Sequence, residues 1–140
     1  MPLSTDSKPD PEHPTASPFK SAGGIGRVFN ALRYSIQGVR AAVRHEAAFR
    51  QELALAIVMF PAAFWLGRNV LEISLLVMVV VGVLVVELLN SAIEALADAL
   101  SVEHHPLLGR AKDLGSAAVM MSLIFAGGIW IAIAVARFSS

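Results

Sequence analysis

The chain has 140 residues, which leaves room for a single domain, and 56% of them are hydrophobic. With a mean hydropathy of +0.65, this exceeds what a water-soluble domain of this length can bury, so the composition indicates a membrane protein. Eleven basic and eleven acidic residues cancel, so no overall field favours nucleic acid as a partner. Cysteine is absent, which excludes disulfides and thiolate metal sites and leaves carboxylates and histidines as metal ligands.

The first 22 residues are polar and proline-rich, with prolines at positions 2, 9, 11, 14 and 18. They lack the apolar central stretch of a secretory signal. Such a segment buries too little surface to offset the entropy lost on ordering. The sequence therefore predicts a disordered tail over 1–22 and a membrane domain over 23–140.

A helical repeat of apolar residues begins after this tail and predicts a helix over about 25–46. Its apolar stripe comprises Ile25, Val28, Phe29, Leu32, Ile36, Val39 and Val43. Basic side chains occupy another side, with Arg33, Arg40 and Arg44 on one flank. This pattern indicates an amphipathic helix in the headgroup layer of a membrane. A soluble amphipathic helix docked on a core is the alternative.

Three apolar segments follow and predict transmembrane helices at about 47–67, 71–98 and 114–136. The first has an uncharged stretch only from Leu53 to Leu66, so its helix must recruit residues 47–52 to cross a bilayer. The polar stretch 101–113 contains Pro106 and Gly109 and is predicted to connect the second and third spans. The architecture predicted is thus all-α.

Lysine and arginine are unevenly distributed about these spans. Nine lie in the N-terminal 50 residues or the 101–113 connection, whereas Arg68 and Arg137 lie on the other side. The positive-inside rule therefore predicts that the N-terminus and this connection are cytoplasmic.

A stripe of polar residues occupies one face of the second predicted span. At about 100° per residue, Glu87, Asn90, Ser91, Glu94 and Asp98 fall within an arc of roughly 100°. A charge inside the bilayer costs on the order of 2.5 kcal/mol or more, so such residues face a protein interior or a wet cavity. A carboxylate as deep as Glu87 is well placed to act as a general base. For Asp98, nearest the interface, a side chain that simply reaches water is the alternative.

Basic and acidic residues also cluster at the predicted cytoplasmic edge, in 45–52 and 103–113. Phosphoryl transfer needs cations against phosphate charge and carboxylates to hold magnesium, and this edge offers both. Adjacent His104 and His105 point apart and do not have metal-ligand spacing. The phosphate loop and the protein-kinase motifs are absent from the sequence, so a nucleotide would not be bound by a common nucleotide fold.

Three segments resemble the signature segments of the prokaryotic diacylglycerol kinases. They are EAAFRQE at 46–52, ELLNSAIE at 87–94 and GRAKDLGSAA at 109–118. The resemblance extends in order and spacing from about Arg27 to the C-terminus.

This resemblance implies a homotrimeric lipid kinase of the bacterial inner membrane, with three transmembrane helices and one surface helix per chain and with composite active sites. Glu87 would be the general base, assisted by Asn90, while Glu46 and Glu94 would bind the Mg²⁺ that bridges the ATP phosphates. The implied nucleotide contacts are Arg27, Tyr34, Glu46, Glu94, Glu103, His105, Lys112 and Asp113. The implied lipid contacts are Arg27, Arg40, Ala48, Phe49, Gln51, Glu52, Glu87 and Ser116.

The resemblance favours diacylglycerol as the substrate, with phosphatidic acid as the product. Two alternatives stay open at this point. An undecaprenol kinase of the same family would use the same catalytic stripe on a different lipid. A small proton-coupled transporter would use one buried glutamate, but it has little use for Asn90, Glu94 and Glu46 beside a basic connection.

Overall fold

A computed structural model describes residues 25–100 and 105–139 of the chain. In this part, the regular elements are four α-helices: α1 (Ile25–His45), α2 (Ala47–Leu66), α3 (Val70–Leu100) and α4 (Pro106–Phe138). The predicted tail over 1–22 and Glu103 lie outside the described residues. The chain divides into two compact units, one ending at Ile36 and one beginning at Gln37, so the boundary falls within α1.

The helices α2, α3 and α4 are each long and apolar enough to cross a membrane. Their 20, 31 and 33 residues correspond to lengths of about 30, 46 and 50 Å at 1.5 Å per residue. The hydrocarbon core of a bilayer is about 30 Å thick, so α3 and α4 are long enough to continue beyond it. The three predicted spans are confirmed as helices, and the protein is a multi-pass membrane protein.

One predicted boundary is wrong, because α4 begins at Pro106 and not near residue 114. Proline is favoured in the first turn of a helix, where its missing N–H leaves no hydrogen bond unmade. Gly109, which suggested a loop, lies inside the helix, where its N–H donates to the carbonyl of His105 at 3.0 Å. Arg110, Lys112 and Asp113 are therefore held on the first turns of a helix.

The junction between α1 and α2 is a single extended residue, Glu46. Its N–H donates to the carbonyl of Ala42 at 2.8 Å, and its own carbonyl accepts from the N–H of Arg50 at 3.3 Å. The Arg50 guanidinium also donates to the carbonyls of Val43 and Arg44, at 3.3 and 3.4 Å. These bonds satisfy carbonyls that the end of α1 leaves without helical partners. The motif at 46–52 thus forms a one-residue helix break whose hydrogen bonds fix where the Glu46 backbone lies.

At the opposite end of the bundle, Arg68 bonds residues of both α3 and α4. The Arg68 guanidinium bonds the Glu72 carboxylate at 3.1 Å and the Ala136 carbonyl of α4 at 3.2 Å. The Asn69 side chain accepts from the N–H of Glu72 at 3.0 Å and so caps the start of α3.

Within the second unit, α3 packs against both α2 and α4. One apolar cluster joins Ala63 and Leu66 of α2 to Leu76 of α3, and a second joins Val79 and Val83 of α3 to Ala126 of α4. Trp130 packs against both clusters. The central position of α3 brings its polar stripe between the flanking helices.

Candidate functional site

The polar stripe of α3 passes from buried to exposed along the helix. Glu87 is only 3% exposed, and Asn90 and Ser91 are each 8% exposed. Glu94 is half-buried and Asp98 is exposed. Burying an ionised carboxylate among apolar helices is costly unless it is compensated, so the position of Glu87 calls for a specific role.

Asn90 is held in a defined orientation by its neighbours on α3 and α4. Its side-chain N–H donates to Oε1 of Glu94 at 3.1 Å. Gly115 of α4 lies against the other side of the amide, and a Cβ at that position would collide with Asn90 Oδ1. Among the described residues, neither Asn90 Oδ1 nor Ser91 Oγ has a hydrogen-bond partner. Both oxygens are buried, and Asn90 Oδ1 packs against α4 at Gly115.

Gly115 was not predicted as a functional residue, although it lies in the quoted segment 109–118. A glycine inside a long membrane helix is a signal of close packing, but one sequence does not reveal its partner.

Several carboxylates converge on Glu87. It is close enough to Glu94 and Glu46 for their charges to repel, and the charge of Glu52 interacts with it as well. Glu46 caps α2 only with its backbone, so its carboxylate is not engaged in capping. Among the described residues, Glu52 Oε2 is buried without a partner. The structure thus brings together four acidic residues that were singled out from two separate motifs.

Lys112 supplies a positive charge at the exposed end of this cluster. Its Nζ lies 2.9 Å from Oδ1 of Asp98, and its charge also attracts Glu94. Asp113, the next residue of α4, is exposed. The contact links the polar stripe of α3 to the basic first turns of α4.

The remaining predicted nucleotide contacts are placed only in part. His105 forms the N-cap of α4, where its Nδ1 accepts from the N–H of Leu107 at 3.3 Å. Arg27 and Tyr34 are exposed and belong to the unit that ends at Ile36. In that unit the Arg33 guanidinium lies 5.3 Å from the centroid of the Tyr34 ring. The nucleotide contacts of all these residues stay predictions, as does that of Glu103.

The predicted lipid contacts differ in burial. Ala48, Gln51 and Ser116 are exposed. Phe49 is 3% exposed, so it packs inside the chain. Arg40 is exposed and lines a surface groove with Gln37, Arg44 and His45. The lipid contacts of these residues also stay predictions.

A second groove lies between α2, α3 and α4 and has a volume of about 160 Å³. Apolar side chains form most of its wall, among them Leu55, Val83 and Leu123, and Glu52 belongs to the same wall. Its lining makes it suitable for a hydrocarbon chain. This groove was not predicted, because three separate segments build it.

Two of these acidic residues have the oxygen donors that a divalent cation shared with a substrate uses. The described part of the chain has no group of three or more His, Asp or Glu side chains able to hold a metal ion. Magnesium is commonly held by one or two carboxylates and by substrate phosphates, with water completing its octahedron. Glu46 and Glu94 match that donor set. The charge of each interacts with that of Glu87.

Comparison with known proteins identifies the family. Residues 33–134 match the family described as prokaryotic diacylglycerol kinase. The chain is 48% identical over 117 residues to the diacylglycerol kinase of Pseudomonas aeruginosa, covering 84% of this chain and 95% of that one.

Two further relatives with the same name agree with this match. The Haemophilus influenzae protein is 43% identical over 107 residues, covering 76% of this chain and 91% of its own. The Escherichia coli K12 protein is 46% identical over 107 residues, covering 76% of this chain and 88% of its own. With three membrane-crossing helices and a polar stripe that begins at buried Glu87 on the second of them, the chain belongs to the prokaryotic diacylglycerol kinase family and is a lipid kinase.

Proposed function

We propose that the protein transfers the γ-phosphate of Mg-ATP to the hydroxyl of diacylglycerol, giving phosphatidic acid and ADP at the cytoplasmic face of the bacterial inner membrane. The observation that carries this proposal is the arrangement of α3: buried Glu87 is followed along the same helix by the Asn90–Glu94 pair and then by Asp98 with its Lys112 partner. This order lets a hydroxyl approach from the bilayer and a nucleotide approach from water.

In the proposed reaction, Glu87 accepts the proton of the lipid hydroxyl while the hydroxyl oxygen forms a bond to the γ-phosphorus of ATP. The bond from that phosphorus to the β–γ bridging oxygen breaks, and ADP leaves with the bridging oxygen. Phosphoryl transfer needs little covalent participation from a protein, so positioning and charge stabilisation supply most of the catalysis. Burial of Glu87 supports its role, because a site that excludes water strengthens electrostatic interactions and limits hydrolysis of ATP by water.

Glu46 and Glu94 would hold the magnesium ion, and Asn90 would orient Glu94 through their 3.1 Å bond. When bound, the ion would offset phosphate charge and align the γ-phosphate. The nucleotide would be contacted by Lys112, Asp113, His105, Glu103, Arg27 and Tyr34. The mutual repulsion around Glu87 supports a cation site, because a divalent ion would relieve it.

The groove of about 160 Å³ would receive part of an acyl chain. Glu52 lies in the wall of this groove, and the charge of Glu52 interacts with that of Glu87, which supports a lipid site near the proposed base. The remaining lipid contacts would come from Arg27, Arg40, Ala48, Phe49, Gln51 and Ser116. A groove lined by aliphatic side chains recognises a hydrocarbon chain by burial and not by hydrogen bonding.

The wider assembly proposed is a homotrimer with a cytoplasmic N-terminus. In it, α1 is an amphipathic helix on the membrane surface. The excess of lysine and arginine on one side of the spans supports this orientation. Exposed apolar residues of α1, such as Val28 and Phe29, support contact with lipid.

The experiment that tests the proposal is phosphorylation of defined lipids by the purified protein. Diacylglycerol and undecaprenol would be supplied separately in mixed micelles with labelled ATP and Mg²⁺. We expect phosphatidic acid to be the main product and ATP consumption to require both lipid and Mg²⁺. Preferential labelling of undecaprenol would replace the proposed substrate, and ATP consumption independent of either lipid would refute lipid phosphorylation.

A further inference from the structure

Asp98 bonds Lys112, and among the described residues this is the one ion pair between α3 and α4. The two residues are 14 positions apart and lie on either side of the connection between these helices. Asp98 is near the end of α3, and Lys112 is in the second turn of α4. The bond therefore crosses from the acidic stripe to the helix start that is proposed to meet the nucleotide.

The lysine is attracted by two carboxylates and bonds one of them. Glu94 lies one turn before Asp98 on the same face, and its charge attracts Lys112. Oε1 of Glu94, however, already accepts the hydrogen bond from Asn90. Asp98 thus keeps the ammonium group beside Glu94 without occupying a carboxylate that is proposed to bind magnesium.

The exposure of the pair determines what the bond can do. The side chains of Lys112 and Asp98 are 40% and 69% exposed. Exposed ion pairs contribute little to folding stability, so fastening the helices is a weak reason for this contact. Their bonds are also readily exchanged, and a multiply charged phosphate attracts an ammonium group more strongly than one exposed carboxylate does.

We infer that Asp98 is a positioning residue, which holds the Lys112 ammonium group beside Glu94 in the absence of nucleotide and releases it to a phosphate oxygen when ATP binds. This inference rests on the proposed function, since it takes Lys112 as a phosphate contact. In the exchange, Lys112 Nζ replaces its bond to Asp98 Oδ1 with a bond to the phosphate, and no proton is transferred. Without Asp98, the lysine would turn toward Glu94 or explore other rotamers.

The inference predicts a split between two kinetic constants. Replacing Asp98 by Asn keeps the shape of the side chain and removes its charge. We expect the KM for ATP to rise by about two- to fivefold, the range that an exposed ion pair allows, because the lysine is no longer held where the phosphate binds. The kcat should stay close to that of the parent, because the bond to Asp98 is already broken in the ATP-bound enzyme. Asp98→Glu, which restores a carboxylate, should bring the KM for ATP most of the way back to the parent value.

Steady-state kinetics with saturating diacylglycerol would test this, together with thermal unfolding in the same detergent. The matched control is Glu72→Gln, which breaks the ion pair with Arg68 at the other end of α3 and should leave kcat and KM unchanged. The inference is overturned if Asp98→Asn keeps the parent KM for ATP, if its main effect is a lower kcat, or if Asp98→Glu is no better than Asp98→Asn. It is also overturned if Asp98→Asn lowers the melting temperature well beyond the control, because the pair would then be a structural fastening. A parent protein that phosphorylates no lipid would instead refute the proposed function.

Discussion

The side-chain amide of Asn90 donates a hydrogen bond of 3.1 Å to Oε1 of Glu94, one turn further along α3. The bond leaves Oε2 of Glu94 free of this amide, while Oδ1 of Asn90 has no partner among the described residues. One amide therefore orients a carboxylate with its N–H, while its oxygen packs against Gly115 of α4.

Asn90→Asp removes the donor and adds a third negative charge beside Glu87 and Glu94. A hydrogen bond to a charged group is worth about 1.5–3 kcal/mol, so we expect kcat/KM for ATP to fall about 10- to 100-fold. Steady-state kinetics would measure this. Asn69→Asp is the matched control, because an aspartate caps the start of α3 as well as an asparagine does. Equal kinetic constants for the two variants would show that the Asn90 bond does not matter.

Gly115→Ala would place a methyl group against Asn90 Oδ1. Overpacking of this kind costs about 1–3 kcal/mol, and here it would also displace the amide that orients Glu94. We expect a lower melting temperature and a loss of activity larger than the loss of stability alone explains. At Gly128 a Cβ would meet open space, so Gly128→Ala should be neutral or stabilising by up to about 1 kcal/mol. An active and stable Gly115→Ala variant would contradict the proposed close contact.

Glu46→Gln and Glu94→Gln each remove one charged ligand of the proposed metal. Because ligand charge sets the affinity of a protein for divalent cations, the Mg²⁺ concentration for half-maximal activity should rise on the order of tenfold or more. Titration of activity with Mg²⁺ at fixed ATP would measure it, and Glu72→Gln should titrate like the parent. If both site variants also titrate like the parent, the metal assignment is wrong.

Arg50→Met removes the guanidinium that bonds the carbonyls of Val43 and Arg44. We expect a loss of about 0.5–1.5 kcal/mol in stability, the usual net value of a hydrogen bond. Because Glu46 lies in the same helix break, the Mg²⁺ requirement should rise as well, and Arg50→Lys should recover only part of either effect. An unchanged Mg²⁺ requirement would separate Arg50 from the placement of Glu46.

Much of this fold follows from apolar periodicity, which predicts the bounds of α1, α2 and α3 to within two residues. The predicted start of α4 is wrong, because Pro106 and Gly109 taken by themselves suggest a loop. In the structure, proline occupies the first position of the helix. The same 3.6-residue repeat placed Glu87, Asn90 and Glu94 on one face, and the bond from Asn90 to Glu94 fits that placement.

Contacts between helices were not predictable from one sequence. Gly115 matters through its approach to Asn90, 25 positions earlier in the chain, and the apolar groove is built by three separate segments. Local patterns carry no information about such distant partners. The homotrimer, the membrane-surface position of α1 and the roles of the individual site residues stay predictions.

The proposed role of Glu87 is tested by comparing Glu87→Gln with the parent in lipid phosphorylation. The substitution keeps the size of a side chain that is 3% exposed and removes its ability to accept the hydroxyl proton. We expect a folded protein that still binds ATP and whose kcat falls by about 10²- to 10⁴-fold, the usual contribution of a general base. Turnover near that of the parent would contradict this expectation and remove Glu87 from the chemistry.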